Sequence, residues 1–176
     1  VGDEFREGNV APATGNLEFI EYCCHQMPKS KKISHLRADS ATYQSAIFNW
    51  CEQQNITFAI GGRLDSATMT AIGRIKDGEW QEHGGNKIAE TVHSMEHTEK
   101  AFRLIVIRRP LQTSVTPQDE DDEMVRYTVI ATNRSESATK IVQWYNRRGD
   151  TSENRIKDLK IGFGMERMPC GTFEAN

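Results

Sequence analysis

The sequence lacks the features that mark membrane, secreted and zinc-binding proteins. No apolar run approaches the roughly 18 residues that cross a bilayer, and the first residues show no basic region followed by an apolar stretch, so no signal peptide is predicted. The four cysteines contain no CxxC pair, and no second ligand cluster is present to complete a zinc site. We therefore expect thiols that are buried or unreactive in a reducing cytoplasm. The chain also does not begin with Met, and we expect it to be part of a longer protein.

A basic excess is also missing. The 176 residues carry 22 Lys and Arg against 25 Asp and Glu, a net charge of −3, which argues against a protein whose whole surface binds nucleic acid. It leaves room for a local basic stripe. The acids are concentrated in a run at 119–123, just after Pro117, which we interpret as a solvated loop between two strands. The length suits one domain with a proper core.

The first third of the chain alternates helix and strand patterns. The first strand pattern runs directly into Asp39, and Ser40 or Thr42 is placed to cap the helix that follows. Helix, strand, acid, helix and strand in this order are typical of a parallel α/β sheet. The predicted elements are a helix over 17–27, a strand over 33–38, a helix over 43–51 and a strand over 56–60.

The middle of the chain changes character. After a helix over 67–75 and a turn at Gly84-Gly85, three strand patterns follow, at 88–95, 102–109 and 126–132. We interpret 64–134 as a small antiparallel, β-rich insertion, separate from the parallel sheet, within one partial domain that spans 1–176. The chain returns to helix over 138–148, where Gly149 is a natural end. A second apolar stripe follows it.

Asp39 is the first candidate functional residue, and two interpretations of it stand. Ligand sites of open α/β sheets gather at the carboxyl ends of parallel strands, where a carboxylate is exposed and rigidly held. The alternative is that Asp39 only caps the next helix, which Asp does well. The spacing alone does not decide between them.

Glu153 is the second candidate and also has two interpretations. Asp150 to Glu153 has the spacing of a capping box, in which Glu153 would only reach back to a backbone amide. Its surroundings favour chemistry instead, since residues 140–167 hold seven basic and four acidic residues in a chain that is acidic as a whole. A positive stripe around an acid suits phosphate contacts beside a metal ligand.

The segment 144–160 resembles the last catalytic motif of DDE transposases of bacterial insertion sequences, in the branch with a Tyr-Arg-Glu-Lys signature. Tyr145, Arg148, Glu153 and Lys160 match it in order, although the interval from Arg148 to Glu153 is one residue longer than the commonest pattern. The segment 36–40 is similar to the second acid motif of the same family, with Asp39 as the acid. The segments 3–9 and 162–167 also resemble it, so the resemblance covers essentially the whole chain.

The resemblance implies an α/β, ribonuclease H-like fold whose first strand or strands are missing here, together with the first catalytic Asp. Asp3 is not assigned to that role. It implies Asp39 and Glu153 as catalytic acids that hold Mg²⁺, with Mn²⁺ as a substitute, for cleavage and strand transfer of double-stranded DNA. The residues implied to contact DNA are Tyr145, Arg148, Arg155, Lys157 and Lys160.

The resemblance further implies a mobile-element protein of the bacterial nucleoid, in the cytoplasm, that associates with itself on transposon ends and target. With two acids instead of three, we expect this chain alone to be inactive or nearly so. Two rival functions remain open: a ribonuclease H-like nuclease or resolvase that cuts without joining, and a non-catalytic DNA-binding regulatory domain whose acids are helix caps.

Overall fold

A computed structural model of the chain describes residues 9–110, 125–157 and 161, and the side chains of 148–156 lie outside that description. The regular elements follow the order that the sequence patterns predict, with one strand at 81–83 that was not predicted. The helices are α1 (Asn16–His25), α2 (Ser45–Gln53), α3 (Ser66–Gly73) and α4 (Ala138–Lys157), and the strands are β1 (His35–Ala38), β2 (Thr57–Gly61), β3 (Gln81–His83), β4 (Asn86–His93), β5 (Phe102–Pro110) and β6 (Val125–Thr132). The expected α/β class is confirmed.

The strands form one six-stranded sheet in the order β1-β2-β6-β5-β4-β3. β1 and β2 are parallel, as the sequence predicts, and all the other pairs are antiparallel. We expected the antiparallel strands to stand apart from the parallel pair, but β6 hydrogen-bonds directly to β2, with Ile60 opposite Ala131. Periodicity marks which face of a strand is buried and carries no information on which strand lies beside it. The bounds 64–134 for an insertion remain a proposal.

Hydrophobic cores cover both faces of this sheet. On one face, Phe48 of α2 packs against Phe58 and Phe102, with ring centroids 4.6 and 4.8 Å apart. On the other face, Ile141 and Val142 of α4 are buried against Ala59, Ile105 and Ile130 and their neighbours. The strands therefore carry apolar residues on both sides, which accounts for the near-continuous Val and Ile content of β5 and β6.

The C-terminal helix differs from the expectation. Gly149 was expected to end one helix and Asp150 to begin another, but α4 is one continuous helix from Ala138 to Lys157. Glycine inside a helix costs about 1 kcal/mol relative to alanine, which the buried Ile141 and Val142 of the same helix can offset. No helix begins at Asp150, so the interpretation of Glu153 as a capping-box residue is wrong.

The helix starts also refine the sequence interpretation. The N-cap of α2 is Gln44, which makes no side-chain capping bond, so the expectation of a Ser40 or Thr42 cap is wrong. Asp39 instead caps a short 3-10 turn, Ser40–Thr42. The predicted turn at Gly84-Gly85 is confirmed, since both residues have the left-handed φ angles, +57° and +77°, that favour glycine in a two-residue hairpin.

Two further expectations, for the cysteines and for the acid run, are met by the structure only in part. Cys51 is fully buried and Cys23 and Cys24 are half-buried free thiols, as expected, whereas Cys170 lies outside the described residues. The acid run at 119–123 also lies outside them.

Candidate active site at the carboxyl edge of the parallel strands

Asp39 lies at the edge of the sheet where both parallel strands end. It follows β1 directly, and β1 is paired with β2 so that Ala38 stands opposite Ile60. The Asp39 side chain is exposed, and its Oδ1 accepts a hydrogen bond from the Ala41 amide at 3.1 Å. Among the described residues that is its one hydrogen bond, so the carboxylate is oriented by the turn while an oxygen stays available. Asp39 is therefore both a cap and a possible ligand.

Tyr145 of α4 reaches the same edge of the sheet. We call the region formed by Asp39, Ser40, Gly61 and the Tyr145 hydroxyl the Asp39 corner. A methyl group placed on Gly61, the last residue of β2, would lie 2.7 Å from the Tyr145 hydroxyl, 3.3 Å from the Ser40 amide nitrogen and 3.5 Å from the Asp39 carbonyl carbon. The hydroxyl and the Asp39–Ser40 backbone thus border one small space, which exists because residue 61 has no side chain. The structure brings together two segments that are distant in the sequence and were predicted to act together.

Arg63 joins this corner, and the sequence interpretation missed it. Its Nε donates to the Ser40 carbonyl oxygen at 3.3 Å, and the side chain is exposed. No carboxylate of the described residues lies within 4.0 Å of its guanidinium, so its charge is not neutralised in an ion pair there. A signal was present, because Gly61-Gly62 marks the end of a buried strand at the expected edge, and Arg63 is the first side chain after it.

Trp144 fixes α4 on β1. Its ring lies between two guanidinium groups, with Arg37 at 4.7 Å and Arg134 at 4.3 Å from the ring centroid. Arg37 also donates through Nη1 to the Trp144 carbonyl oxygen. Cation–π contacts and this charge-assisted hydrogen bond hold the helix in register beside β1. The position of Tyr145 at the corner follows from that anchor.

The remaining predicted residues are placed only in part. Glu153, Arg148 and Arg155 lie within the backbone of α4, but their side chains lie outside the described residues. Lys157 is exposed at the end of α4, and Lys160 lies outside the described residues. At 1.5 Å per residue, a straight helix carries Glu153 roughly 12 Å beyond Tyr145 along its axis.

The corner offers one ligand of the type that a divalent cation prefers. Asp39 offers the hard carboxylate oxygen that Mg²⁺ and Mn²⁺ prefer. Within residues 9–110, 125–157 and 161, no group of three or more His, Cys, Asp or Glu side chains lies close enough to hold a metal ion. A complete site at Asp39 therefore needs carboxylates in addition to those described.

A cleft of about 470 Å³ opens next to the corner, on the α2 side of the sheet, and Tyr43, Arg63, Asp65 and His93 line it. The backbone amide of Thr68 donates to Asp65 and holds the pKa of that carboxyl below its usual range. Burial lowers the pKa of His93 against an opposing effect of Asp65. Burial also raises the pKa of Tyr43 to about 12. At neutral pH the cleft therefore presents a carboxylate, a phenol and the Arg63 cation.

Comparison with known proteins follows this geometry. No helix in the described parts of the chain is long and apolar enough to cross a membrane. No curated protein matches the chain. The family model described as Transposase DDE domain group 1 matches residues 2–176. The mixed sheet with helices on both faces is consistent with the ribonuclease H-like domain of such transposases. Since the match extends over nearly the whole chain, the chain belongs to the DDE transposase family, group 1.

Proposed function

We propose that this chain carries part of the active site for DNA phosphodiester cleavage and strand transfer, with Asp39 and Glu153 as metal-binding acids. The observation that carries the proposal is the contact of Tyr145 with the Asp39 corner. It brings the helix of the last motif to the strand end of the second one. We assign the chain to the Tyr-Arg-Glu-Lys branch on the same residues, Tyr145, Arg148, Glu153 and Lys160.

Asp39 suits the role of a metal ligand because its backbone is fixed. The capping bond to Ala41 uses Oδ1 and orients the carboxylate, so the ordering cost of binding a cation is already met in part. The cap and the ligand interpretations are therefore compatible.

Glu153 suits the role of the glutamate of the triad because its backbone lies inside α4 and not at a helix start, where it would serve as a cap. Eleven residues are close to three full turns, so position 153 repeats the angular position of the buried Val142 on α4. A bound Mg²⁺ would polarise the scissile phosphate and lower the pKa of an attacking water or hydroxyl.

The remaining acid of the triad, its first Asp, could be supplied to this corner by an additional strand. Among the described strands β1 lies at the edge of the sheet, and its outer side is unpaired. A strand added in parallel there would end at the same edge as β1 and β2. We propose that the first Asp of the DDE triad comes from such a strand, so that residues 1–176 alone show little or no cleavage.

The basic residues supply contacts to the DNA backbone in this proposal. Arg63 is fixed at the corner by Ser40, which suits a contact to the phosphate next to the reacting one. Tyr145 and Lys157, with Arg148, Arg155 and Lys160, would extend the contacts along α4 and beyond it. We propose paired transposon ends and a target as the DNA, and self-association of the full-length gene product on them.

A matched pair of variants tests the role of Asp39. Asp39 and Asp65 both cap short helical segments with extended backbone, and each accepts a bond from a backbone amide, at 3.1 and 2.8 Å. Asparagine caps as well as aspartate, so Asp39→Asn and Asp65→Asn should both fold. Asp39→Asn in the full-length gene product should abolish Mg²⁺-dependent cleavage and joining of duplex ends, and Asp65→Asn should not.

The outcomes separate the rival functions. Unchanged recombination by both Asp39→Asn and Glu153→Gln would leave a non-catalytic regulatory domain. Cleavage that depends on Asp39 but yields no joined product would identify a nuclease. Binding of Mn²⁺ to the chain alone, followed by paramagnetic broadening of amide signals near residue 39, supplies a readout that does not require activity. This broadening should disappear in Asp39→Asn and persist in Asp65→Asn.

A further inference from the structure

Two arginines stand directly opposite one another where β5 and β6 come to an end. Arg109 pairs with Arg126 across the antiparallel ladder, and both side chains are exposed. Directly opposite residues have Cβ atoms about 5 Å apart, and like charges at that distance destabilise a sheet. No carboxylate of the described residues forms an ion pair with either of them. The repulsion is left without compensation in the part of the chain that the structure describes.

The opposite face of the same strand end is different. There Lys87 stands opposite Arg108. Lys87 lies 3.7 Å from Glu82, and Arg108 stacks over the Trp80 ring at 5.6 Å. The cations of that face have partners within the protein. The contrast singles out the pair on the α4 face, where Arg109 follows the buried Ile107 by two residues.

This pair lies at the same end of the sheet as Asp39. β6 runs antiparallel to β2, so its first residues lie beyond the carboxyl end of β2, and Gly61 stands opposite Ile130. Arg126 is four residues further out, which is roughly 13 Å along the strand. The β5–β6 hairpin therefore projects past the Asp39 corner and presents Arg109 and Arg126 on the face that α4 also occupies.

We propose that Arg109 and Arg126 form a phosphate clamp, a second contact with the backbone of duplex DNA away from the reacting phosphate. Phosphate geometry suits two adjacent guanidinium groups, and a bound anion converts their repulsion into attraction. A duplex strand advances 3.4 Å per nucleotide, so the clamp meets the DNA roughly four base pairs from the corner. The proposal rests on DNA as the partner but not on catalysis by Asp39.

The salt dependence of DNA binding by the 176-residue chain tests the clamp. Arg109→Gln with Arg126→Gln should reduce the slope of log affinity against log salt by roughly 0.9, since about 0.9 is lost per neutralised phosphate and the pair clamps one phosphate. The matched control is Lys87→Gln with Lys100→Gln, which removes the same charge from cations that are paired with Glu82 and Glu52. It should leave the slope within experimental error. Arg109→Lys with Arg126→Lys should retain it.

Position supplies the second readout. Single neutral methylphosphonate linkages are scanned along the duplex for the parent chain, for Arg63→Gln and for the Arg109→Gln, Arg126→Gln variant. A neutral linkage that weakens DNA binding by the parent chain but not by a variant marks the phosphate that the substituted residue contacts. The Arg63 marks and the clamp marks should lie roughly four base pairs apart.

Three outcomes would overturn the clamp: a parent chain that does not bind duplex, a slope that is unchanged in the glutamine variant, or an equal loss in the lysine-site control. An unchanged slope would indicate that acids of this chain already neutralise the pair. A clamp that is confirmed together with an Asp39→Asn protein that still cleaves would refute the proposed function alone. Thermal melting checks folding, and removal of the repulsion should keep or raise the melting temperature.

Discussion

The Tyr145 hydroxyl occupies the space that a side chain at Gly61 would need, 2.7 Å from the position of the missing methyl group. Glycine is required at 61 for close approach, since no positive φ angle is found there. The approach joins α4 to the end of β2. The packing of α4 against the end of β2 is therefore sensitive to a side chain at position 61.

Gly61→Ala should destabilise the chain by about 1–3 kcal/mol, because the new methyl group overlaps the Tyr145 hydroxyl. The same substitution in a Tyr145→Phe background should cost clearly less, since the overlapping oxygen is gone. Urea unfolding of the four proteins measures the coupling. Gly73→Ala is the control, because nothing lies within 4 Å of its added methyl group. Equal costs of Gly61→Ala in both backgrounds would contradict the contact.

Arg63→Gln in the full-length gene product should reduce kcat for end cleavage by about 100-fold with a smaller change in KM, if its phosphate contact strengthens in the transition state. The folded structure should be unaffected, because the side chain is exposed and makes one hydrogen bond to Ser40 among the described residues. Arg74→Gln, an exposed arginine just after α3, supplies the control. A loss confined to KM would assign Arg63 to ground-state binding only.

Asn133 ties the end of β6 to α2 and β2. Its Oδ1 accepts from the Phe58 amide at 2.8 Å, and its Nδ2 donates to Glu52 at 2.8 Å and to the Ile56 carbonyl at 3.1 Å. Asn133→Ala should cost about 2–3 kcal/mol, because three hydrogen bonds are lost and half-buried partners stay unpaired. Asn49→Ala, which breaks two exposed bonds, should cost less than half as much in the same urea titration.

The loss of unfolding free energy at acid pH should depend on Glu52. Burial raises the pKa of this carboxyl, but hydrogen bonds from Asn133 and Lys100 outweigh it and leave the pKa below its usual range. A depressed pKa in the folded state stabilises the protein above the unfolded value of about 4.3, and this stability is lost as the pH falls through the folded value. Glu52→Gln should flatten the fall in unfolding free energy between pH 6 and 3. The exposed Glu82→Gln should not flatten it.

Cys51 should resist alkylation in the folded protein. Burial raises the pKa of its thiol to about 12, so the reactive thiolate is nearly absent at pH 8. Iodoacetamide labelling followed by peptide mass spectrometry should modify Cys51 only after urea unfolding. The half-buried Cys23 should react earlier. Rapid labelling of Cys51 without denaturant would show that α2 opens in the native state.

The sequence predicted this fold unevenly, for identifiable physical reasons. The strand that enters Asp39 and the parallel partner after α2 were predicted, because a stretch with spaced apolar residues at 33–38 and a short apolar run at 56–60 flank the amphipathic pattern of α2. The position of β6 beside β2 was not predicted, since hydrogen bonding between strands far apart in sequence leaves no periodic signal. The continuous helix through Gly149 was missed because a favourable end residue was weighed without the packing of Ile141 and Val142. Arg63 was missed because a single basic residue after two glycines has no pattern.

The sheet combines two kinds of neighbour, and their order along the chain has a kinetic consequence. β4, β5 and β6 follow one another as antiparallel neighbours, whereas β2 must wait for β6, whose residues come more than sixty positions later. Local pairings close at a lower entropic cost than distant ones, so the antiparallel strands are expected to assemble first. The four-residue β1, which pairs on one side only among the described strands, is then expected to be the last strand protected from hydrogen exchange and the first to open. The corner at Asp39 is thus expected to form on the least cooperative part of the sheet.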